Sequence, residues 1–251
     1  MTLKRIYLNQ SLSIGQTVKL TATLFHYLCR VLRCRVNENI IAFNGNGYDY
    51  HGVISSIDKR QARFIVQSKR LNSNESPLET TLIQGLSKGE RMDIALQKAV
   101  ELGVNTIYPV ETAFNAVKMD EKRREKKWLH WQSIVISACQ QSGRSTVPML
   151  HPIQPLEDVI PIVSNDLNIM LHPYTEQTGQ QKKLLTRPNR HSPSSVTLLV
   201  GPEGGLSPSE VNLAYQNNFL SLRLGKRILR TETATISALS IVQLLWGDWH
   251  V

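Results

Sequence analysis

Acidic residues are scarce in the first part of this 251-residue chain, and the shortage limits what that part can bind. Residues 1–70 contain three acidic side chains (Glu38, Asp49 and Asp58) against eleven lysines and arginines, a net charge of +8. Residues 71–251 are nearly neutral, with 18 basic and 17 acidic residues. Clustered lysine and arginine attract phosphate backbones by releasing counterions. The alternative is a solvated face that only keeps the chain in solution, but so one-sided a distribution favours nucleic-acid binding.

Cysteines and long apolar runs are also few. The three cysteines, Cys29, Cys34 and Cys139, have neither the spacing of a zinc site nor the even number of a disulfide framework. They predict a cytoplasmic protein without a structural metal. The sequence has no run of 18 apolar residues, and its first residues lack the apolar stretch of a signal peptide. We therefore expect neither a membrane span nor a secretory signal.

The strand and turn signals of residues 1–70 predict a small β-barrel around one helix. Thr21 is a good helix N-cap, and the residues that follow it have helical spacing as far as Leu32. Asn44-Gly45-Asn46-Gly47 is a strong turn signal between two strands. The polar segment 71–78 contains Pro77 and is typical of a linker. The predicted strands cover residues 5–8, 17–20, 39–43, 48–57 and 63–66.

Residues 79–251 alternate between strand and helix patterns. Such alternation predicts a mostly parallel sheet that is covered by helices on both faces. The predicted strands are 80–86, 106–110, 167–171, 196–200 and 220–224. The predicted helices are 91–102, 120–141, 207–217 and 233–246.

Two glycine-marked motifs near the C-terminus each follow an apolar strand and precede a helix. The first is Gly201-Pro202-Glu203-Gly204-Gly205, called here the GPEGG loop, and Ser207 with Glu210 forms a capping box after it. The second runs from Leu224 to Ala234. Neither matches a P-loop or a dinucleotide-binding motif. Because ligands bind at the carboxyl ends of parallel strands, the two loops predict one shared pocket; ordinary strand-to-helix connections are the alternative.

These motifs resemble those of the RsmE family, which are ribosomal RNA methyltransferases of the SPOUT superfamily. Family members have GPEGG followed by LG-x-RILR-x-ETA, and this chain has both almost letter for letter. Three weaker stretches agree, and the similarity covers nearly the whole chain. They are Lys88-Gly89 with Arg91-Met92, Gln140 to Arg144, and His26 to Leu28 with Arg30 to Arg33. One departure is Cys139-Gln140, since the family usually has an acidic residue before QSGR.

The resemblance implies an α/β fold, in which a PUA-like β-barrel (residues 1–70) and the linker precede a SPOUT-type parallel sheet with a trefoil knot (79–251). The physics of the sequence would not suggest a knot, because un-knotted connections are the rule. The resemblance also implies a homodimer whose C-terminal helices pack at the interface. The pattern of the final helix agrees, since apolar residues cover most of its circumference and call for burial by one chain or two.

By resemblance, the main chain of three loops surrounds S-adenosylmethionine, and Leu171-His172-Pro173 forms the third wall. For His172, a hydrogen-bonded turn residue is the favoured interpretation over catalysis. A side chain at Gly204 is expected to enter the pocket. The cofactor-binding residues implied are Leu171, His172, Pro173, Val200, Gly201, Pro202, Glu203, Gly204, Gly205, Leu224, Gly225, Ile228, Leu229, Arg230, Thr231, Thr233 and Ala234.

Methyl transfer to a uracil nitrogen requires alignment of the reacting atoms and removal of the N3 proton. The candidates near the transferred methyl group are Arg230, Glu232 and Arg144. Glu232 is a candidate to accept the proton, directly or through water, and an arginine can stabilise the anion that develops at O2 or O4. Favourable charge at a helix N-terminus is the alternative role for Glu232, and phosphate binding is the alternative for Arg144.

Five basic residues are expected to contact RNA phosphates. Arg5, Arg30 and Arg33 belong to the barrel, and Arg30 and Arg33 are expected to share one helix face. Lys88 and Arg91 would continue the basic track toward the pocket. The basic run 122–127 is more typical of a solvated helix face.

The resemblance therefore implies a homodimeric enzyme that uses S-adenosylmethionine to methylate N3 of a uridine in 16S ribosomal RNA, free or within the small subunit. Two rivals stay open at this stage. One is a 2′-O-ribose methyltransferase of the same superfamily, and the other is a non-catalytic RNA-binding assembly factor that keeps the pocket as part of its fold.

Overall fold

The computed structural model describes residues 3–115, 119–174 and 192–249. The chain divides into two compact units. Unit 1 comprises Met1–Glu75 and Cys139–Val147, and unit 2 comprises Ser76–Ala138 and Pro148–Val251.

Unit 1 is built on a five-stranded sheet. In spatial order its strands are β1 (Lys4–Tyr7), β3 (Asn39–Phe43), β4 (Tyr48–Ile57), β5 (Ala62–Leu71) and β2 (Thr17–Lys19). The pairing of β1 with β3 is parallel and the other pairings are antiparallel. Bulges interrupt the β4–β5 pairing at His51/Gly52 and at Ile54/Ser56, and bulges bend and twist a sheet. Strands β1 and β2 therefore form the two edges of the sheet.

The helical segment of unit 1 packs Phe25 and Leu28 into the apolar core formed by the inner face of this sheet. Thr21 caps it as predicted, because its hydroxyl accepts a hydrogen bond from the Leu24 N–H. The segment is not a single α-helix. A short α1 (Ala22–Phe25) continues as a π-helix over His26–Val31, and Arg33 beyond it has a φ of 51°. The expectation that Arg30 and Arg33 share a helix face is therefore wrong.

Residues 139–147 join unit 1 through partly buried polar contacts. The Arg5 guanidinium donates to Asp49 Oδ1 (2.9 Å), the Arg144 carbonyl (3.2 Å) and Ser145 Oγ (2.7 Å). Asn72 Nδ2 donates to Asp49 Oδ2 and the Gly143 carbonyl, both at 3.0 Å. The sequence boundaries, which placed all of 79–251 in one domain, did not foresee this, because the contacts join residues about a hundred positions apart.

Unit 2 contains a seven-stranded sheet. Its strands are β6 (Glu79–Gly85), β7 (Thr106–Glu111), β8 (Met149–Leu150), β9 (Gln154–Pro155), β10 (Leu167–Leu171), β11 (Ser195–Val200) and β12 (Phe219–Leu222). All its pairings are parallel, as the alternating pattern predicts. In spatial order the strands are β12-β10-β11-β6-β7-β8, and β9 is also paired to β7. The helices are α2 (Glu90–Glu101), α3 (Glu121–Ser142), α4 (Leu156–Val159), α5 (Pro208–Gln216) and α6 (Thr231–Trp246).

The final helix, α6, packs one face into unit 2. Thr235, Ala238, Leu239 and Val242 are buried, whereas Leu244 is 56% exposed. One chain therefore does not cover the whole apolar circumference that the sequence shows. In the described residues no helix has the length and apolarity needed to cross a membrane. The same ranges contain no cluster of three or more His, Cys, Asp or Glu side chains placed to hold a metal ion.

Candidate functional site

Three neighbouring strands of unit 2 end side by side. β10 pairs with β11 on one side and with β12 on the other, and Leu171 stands in register with both Val200 and Leu222. Since the strands are parallel, the segments that follow them leave the sheet at the same edge. This alignment brings together the GPEGG loop, residues 172–174 and the loop 223–230.

A cavity of about 340 Å³ lies between these three segments. Sites for small molecules and cofactors have volumes of about 300–1,000 Å³. Fifteen of the seventeen residues that the resemblance implies for cofactor binding line the cavity, and Gly225 and Thr233 do not. Six further residues line the cavity. Arg91 was expected to contact RNA, and sequence reasoning missed the other five, although all five adjoin the motifs. They are Tyr174, Leu206, Leu222, Arg223 and Arg227.

Gly85, at the end of β6, holds the GPEGG loop close to the sheet. A Cβ at this position would lie 2.6 Å from Pro202 N and Cδ. That distance is far inside van der Waals contact, so any larger residue at 85 must displace the loop. The sequence offered only a glycine at a strand end, which often marks a close backbone approach.

The expectation that a side chain at Gly204 would enter the cavity is wrong. A Cβ at Gly204 would point at Phe114, 2.8 Å from its Cβ and 3.1 Å from its carbonyl oxygen. A substitution here would therefore press the GPEGG loop against the segment that follows β7, instead of filling the cavity. The sequence could not show this direction, because Phe114 is distant along the chain.

A buried hydrogen-bond network supports the cavity from inside the protein. The Thr231 hydroxyl donates to the Gly201 carbonyl at 2.9 Å and accepts from Gln84 Nε2 at 3.0 Å. The Thr235 hydroxyl donates to Gln84 Oε1 at 2.6 Å. Gln84 and Thr235 are fully buried. The network joins β6, the GPEGG loop and the first turn of α6, so it fixes the spacing of the two motifs.

An ion pair at the rim links the GPEGG loop to the start of α2. Glu203 Oε1 accepts hydrogen bonds from Arg91 Nη1 at 2.7 Å and from the Lys88 backbone N–H at 3.0 Å. Burial alone would raise the pKa of Glu203, but these donors and a backbone hydrogen bond at Glu203 itself outweigh it and lower the pKa. Lys88 and Arg91, which were expected to contact RNA, are thus joined to the GPEGG loop.

The second loop is braced by its own arginine. Arg223 donates to the carbonyl oxygens of Gly225 (3.0 Å) and Lys226 (3.2 Å). Burial lowers the pKa of His172, which follows β10, and so favours the neutral imidazole. Its ring meets Tyr174 edge-on, with 5.8 Å between the ring centroids. The residues that line the cavity therefore include this histidine and four arginines (Arg91, Arg223, Arg227 and Arg230).

The three catalytic candidates have different surroundings. Arg230 lines the cavity and is exposed, and it precedes the first residue of α6. Glu232 lies in the first turn of α6, outside the residues that line the cavity, and its Oε2 is buried with no hydrogen-bond partner in the described ranges. Arg144 belongs to unit 1, where its guanidinium is 3% exposed and pairs with Glu75 at 2.6 Å.

The basic candidates of unit 1 also differ. Arg30 and Arg33 are exposed. The Arg5 side chain is only 10% exposed, and its contacts to Asp49 and Ser145 are internal to unit 1. These contacts make Arg5 a residue that anchors the segment 139–147.

Comparisons with known proteins agree with this architecture. A family model described as the RNA methyltransferase domain matches residues 74–243, and one described as the RNA methyltransferase PUA domain matches residues 20–67. The chain is also 35% identical to the ribosomal RNA small subunit methyltransferase E of Buchnera aphidicola subsp. Schizaphis graminum, over 97% of each chain. The chain belongs to the RsmE family of RNA methyltransferases.

Solved structures similar to this RsmE family member cover its whole fold. A methyltransferase from Legionella pneumophila, determined in complex with the bound cofactor SAM, has a TM-score of 0.89 and 36% identity, over 99% of this chain and 100% of its own. The ribosomal RNA small subunit methyltransferase E of Neisseria gonorrhoeae, bound to S-adenosyl methionine, has a TM-score of 0.87 and 39% identity over the same shares.

The buried network makes a first prediction. Thr235→Val keeps the shape of the side chain but leaves Gln84 Oε1 without its hydroxyl donor, and an unsatisfied buried acceptor costs about 1–3 kcal/mol. We expect the free energy of unfolding in urea to fall by that amount. Thr233→Val, at an exposed position on the same helix, is the matched control and should change it by less than about 0.5 kcal/mol. Equal effects of the two variants would show that the network adds no stability.

Proposed function

We propose that this RsmE family member uses S-adenosylmethionine to methylate N3 of a uridine in 16S ribosomal RNA, in the cytoplasm. The observation that carries the proposal is the cavity between three parallel strand ends, formed by the motifs that the chain shares with the family. The names of its relatives support a small-subunit RNA target, and the bound ligand of its structural neighbours supports the methyl donor.

The lining of the cavity fits this donor. Main-chain groups of the three loops and apolar side chains such as Leu171, Val200 and Leu229 suit an adenine ring, which presents apolar faces and polar edges. No metal is required, since the sulfonium group is itself the activated form of the methyl carrier. When bound, S-adenosylmethionine supplies a methyl group on a positively charged sulfur.

The chain has two tasks in the transfer, alignment and proton removal. Holding two reactants in line lowers a barrier by roughly 7–11 kcal/mol, provided that the site is rigid. The contact of Gly85 with Pro202 and the Gln84 network supply that rigidity. Gln84, Gly85 and Thr235 are not among the residues that line the cavity, so these contacts support the GPEGG loop without filling the space beside it.

We assign Glu232 as the acceptor of the uracil N3 proton, directly or through one water. Glu232 itself does not line the cavity, but its neighbours Arg230 and Thr231 do, and its buried Oε2 accepts no hydrogen bond in the described ranges. General-base assistance of this kind contributes about 10²–10⁴-fold in rate. Arg230, exposed at the rim, would stabilise negative charge at O2 or O4 of the base. The ion pair of the buried Arg144 side chain with Glu75 supports an anchoring role for Arg144 in place of a catalytic one.

We also propose that unit 2 contains a trefoil knot. After β12, at one edge of the sheet, the chain returns as α6 to the region of β6 and β11, where Thr231 bonds to Gly201 and Gln243 Nε2 donates to the Leu102 carbonyl. The final helix thus passes behind the loops that form the cavity. This path and the family resemblance support the knot.

The product of the reaction tests the main proposal. Nucleosides from 16S ribosomal RNA, isolated from cells with and without the gene and analysed by mass spectrometry, should differ by the loss of 3-methyluridine. Purified protein should restore it when S-adenosylmethionine is added. Loss of a ribose-methylated nucleoside instead would identify a 2′-O-methyltransferase. No change at all would indicate a non-catalytic protein.

Cofactor binding provides a second test. Gly85→Ala places a methyl group 2.6 Å from Pro202 and should displace the GPEGG loop, so we expect calorimetry to show an affinity for S-adenosylmethionine reduced at least about ten-fold, as misplacement by about 1 Å is costly. Gly15→Ala is the control. It has a φ of 84° and no atom within 4 Å of the added Cβ, so its strain of about 1 kcal/mol stays in unit 1. Undiminished affinity in Gly85→Ala would exclude this cavity as the cofactor site.

The exposed side of α6 supports a homodimer, and its disruption gives a third test. Leu244 is 56% exposed, and Ile241 and Leu245 next to it are only partly buried. Leu244→Glu would bury a charge in a helix-to-helix interface, so light scattering should show a monomer where the wild type is a dimer. Lys122→Glu, on an exposed position of α3, should leave the mass unchanged. A dimer that survives Leu244→Glu would place the interface elsewhere.

A further inference from the structure

The acids of unit 1 are almost all used to neutralise particular cations. Glu38 pairs with Lys4, Asp49 with Arg5, and Glu75 with Arg144. Asp58, at the turn between β4 and β5, bonds to Gln61. Within the described ranges, nine of the eleven lysines and arginines of residues 1–70 therefore have no ion-pair partner.

Several of these nine cations are compensated in other ways. Lys69 lies 3.7 Å above the Tyr48 ring, and Arg30 lies 5.9 Å from the Phe25 ring. Arg70 stands opposite Asp49 in the β4–β5 register. Arg35 is three residues from Glu38, whose carboxylate accepts its backbone N–H.

Lys19 and Arg63 lie next to each other instead of next to an aromatic ring or an acidic residue. They are direct cross-strand partners in the antiparallel pairing of β2 with β5, so their Cβ atoms are about 4.5–5.5 Å apart on the same face. Both side chains are exposed, and neither has an ion-pair partner in the described ranges. Like charges placed directly opposite each other destabilise a sheet. The free protein thus keeps an unfavourable pair that a single glutamate would remove.

Hydroxyl groups surround the two cations. In the β4–β5 register, Ser56 is the partner of Arg63 on its other side, and the bulge next to it inserts Ser55, whose hydroxyl bonds to the Arg63 carbonyl at 3.3 Å. Thr17, two residues before Lys19, is exposed on the same face. Bulges often re-aim side chains next to functional sites. Two cations flanked by hydroxyls are the groups with which proteins bind phosphates without reading bases.

We propose that the row Ser56–Arg63–Lys19, which crosses β4, β5 and β2, is a binding site for the phosphodiester backbone of RNA. A phosphate placed between Lys19 and Arg63 would turn their mutual repulsion into two attractions. The proposal relies on the proposed function only in naming RNA as the polyanion. This face is distinct from Arg30 and Arg33, which follow α1 on another element, and from Arg5, which is engaged inside unit 1.

The test compares the wild type with Lys19→Gln/Arg63→Gln in the full-length protein. Fluorescence anisotropy with a labelled fragment of 16S ribosomal RNA would give the dissociation constant over a series of salt concentrations. Each lost contact to single-stranded RNA lowers the slope of log K against log salt by about 0.7. We expect a slope smaller by about 1.4 and, at about 0.1 M salt, an affinity weaker by about ten-fold or more. Affinity for S-adenosylmethionine should stay unchanged.

The control Lys122→Gln/Lys126→Gln removes the same net charge from exposed positions of α3 in unit 2 and should leave the slope near that of the wild type. An equal loss of slope in both double variants would mean that only net charge matters, and the proposal would be wrong. An unchanged slope in Lys19→Gln/Arg63→Gln, with cofactor affinity intact, would also overturn it.

Thermal unfolding separates binding from a structural role. Because the substitution removes a repulsion, its Tm without RNA should equal or exceed that of the wild type, and a lower Tm would show that the two cations stabilise the sheet instead. Failure of the proposed function is a separate result. A wild type that binds RNA with the expected salt slope, but forms no 3-methyluridine, would refute the reaction and leave the phosphate site in place.

Discussion

Leu171 stands opposite Val200 on one neighbouring strand and Leu222 on the other, and the position of the cavity depends on that register. A shift of one residue in either pairing would move a loop by about 3.3 Å along the strand and turn its side chains to the other face of the sheet. Consecutive residues such as Ile169 and Met170, or Leu198 and Leu199, are buried on opposite faces of the sheet, so a slip by one residue would force each side chain into a packing site that fits another. The apolar core of unit 2 therefore fixes the geometry of the site.

The loops themselves are shaped mainly by the backbone and held from behind. Gly85 permits the contact with Pro202, the Thr231 hydroxyl donates to the Gly201 carbonyl, and Gln84 joins Thr231 to Thr235. At the rim, Arg91 and Glu203 add a charged contact from α2. A site built this way leaves most of its wall to main-chain groups and apolar side chains, which suits a ligand with an aromatic base. It also explains why residues outside the two motifs are needed for the shape of the cavity.

The few acidic side chains of unit 1 mostly form ion pairs within the unit, and most of its basic side chains have no ion-pair partner in the described ranges. The pairs Lys4–Glu38, Arg5–Asp49 and Arg144–Glu75 are each specific contacts, and the last two tie the segment 139–147 and the chain near residue 75 into the unit. The remaining positive charge gives the surface a potential that attracts polyanions. The repulsion between Lys19 and Arg63 lowers the stability of the sheet. Residues that serve binding commonly reduce stability in this way. Functional charge and structural charge are thus separated within the same small sheet.

Arginines that stand in similar sequence contexts have different surroundings in the folded protein. Arg5, Arg30 and Arg144 are all arginines in basic stretches, but Arg30 is exposed while Arg5 and Arg144 are held in partly buried ion pairs. The sequence also suggested one regular helix from Thr21 to Leu32. The change to a π-helix at His26 and the left-handed backbone at Arg33 depend on how this segment packs on the sheet, which periodicity does not encode.

The sequence by itself determined the parallel α/β character of residues 79–251, the strands and caps that flank both motifs, the charge asymmetry and the family, because these follow from local patterns and motif letters. It did not determine that Gly85 touches Pro202, that Gly204 faces Phe114, that the Thr231 hydroxyl joins the two motifs, or that residues 139–147 join unit 1. Only the tertiary structure decided these, since each is a contact between residues brought together by chain topology. A hydrogen bond or a close approach across a hundred residues leaves no periodic signal in the sequence on either side of it.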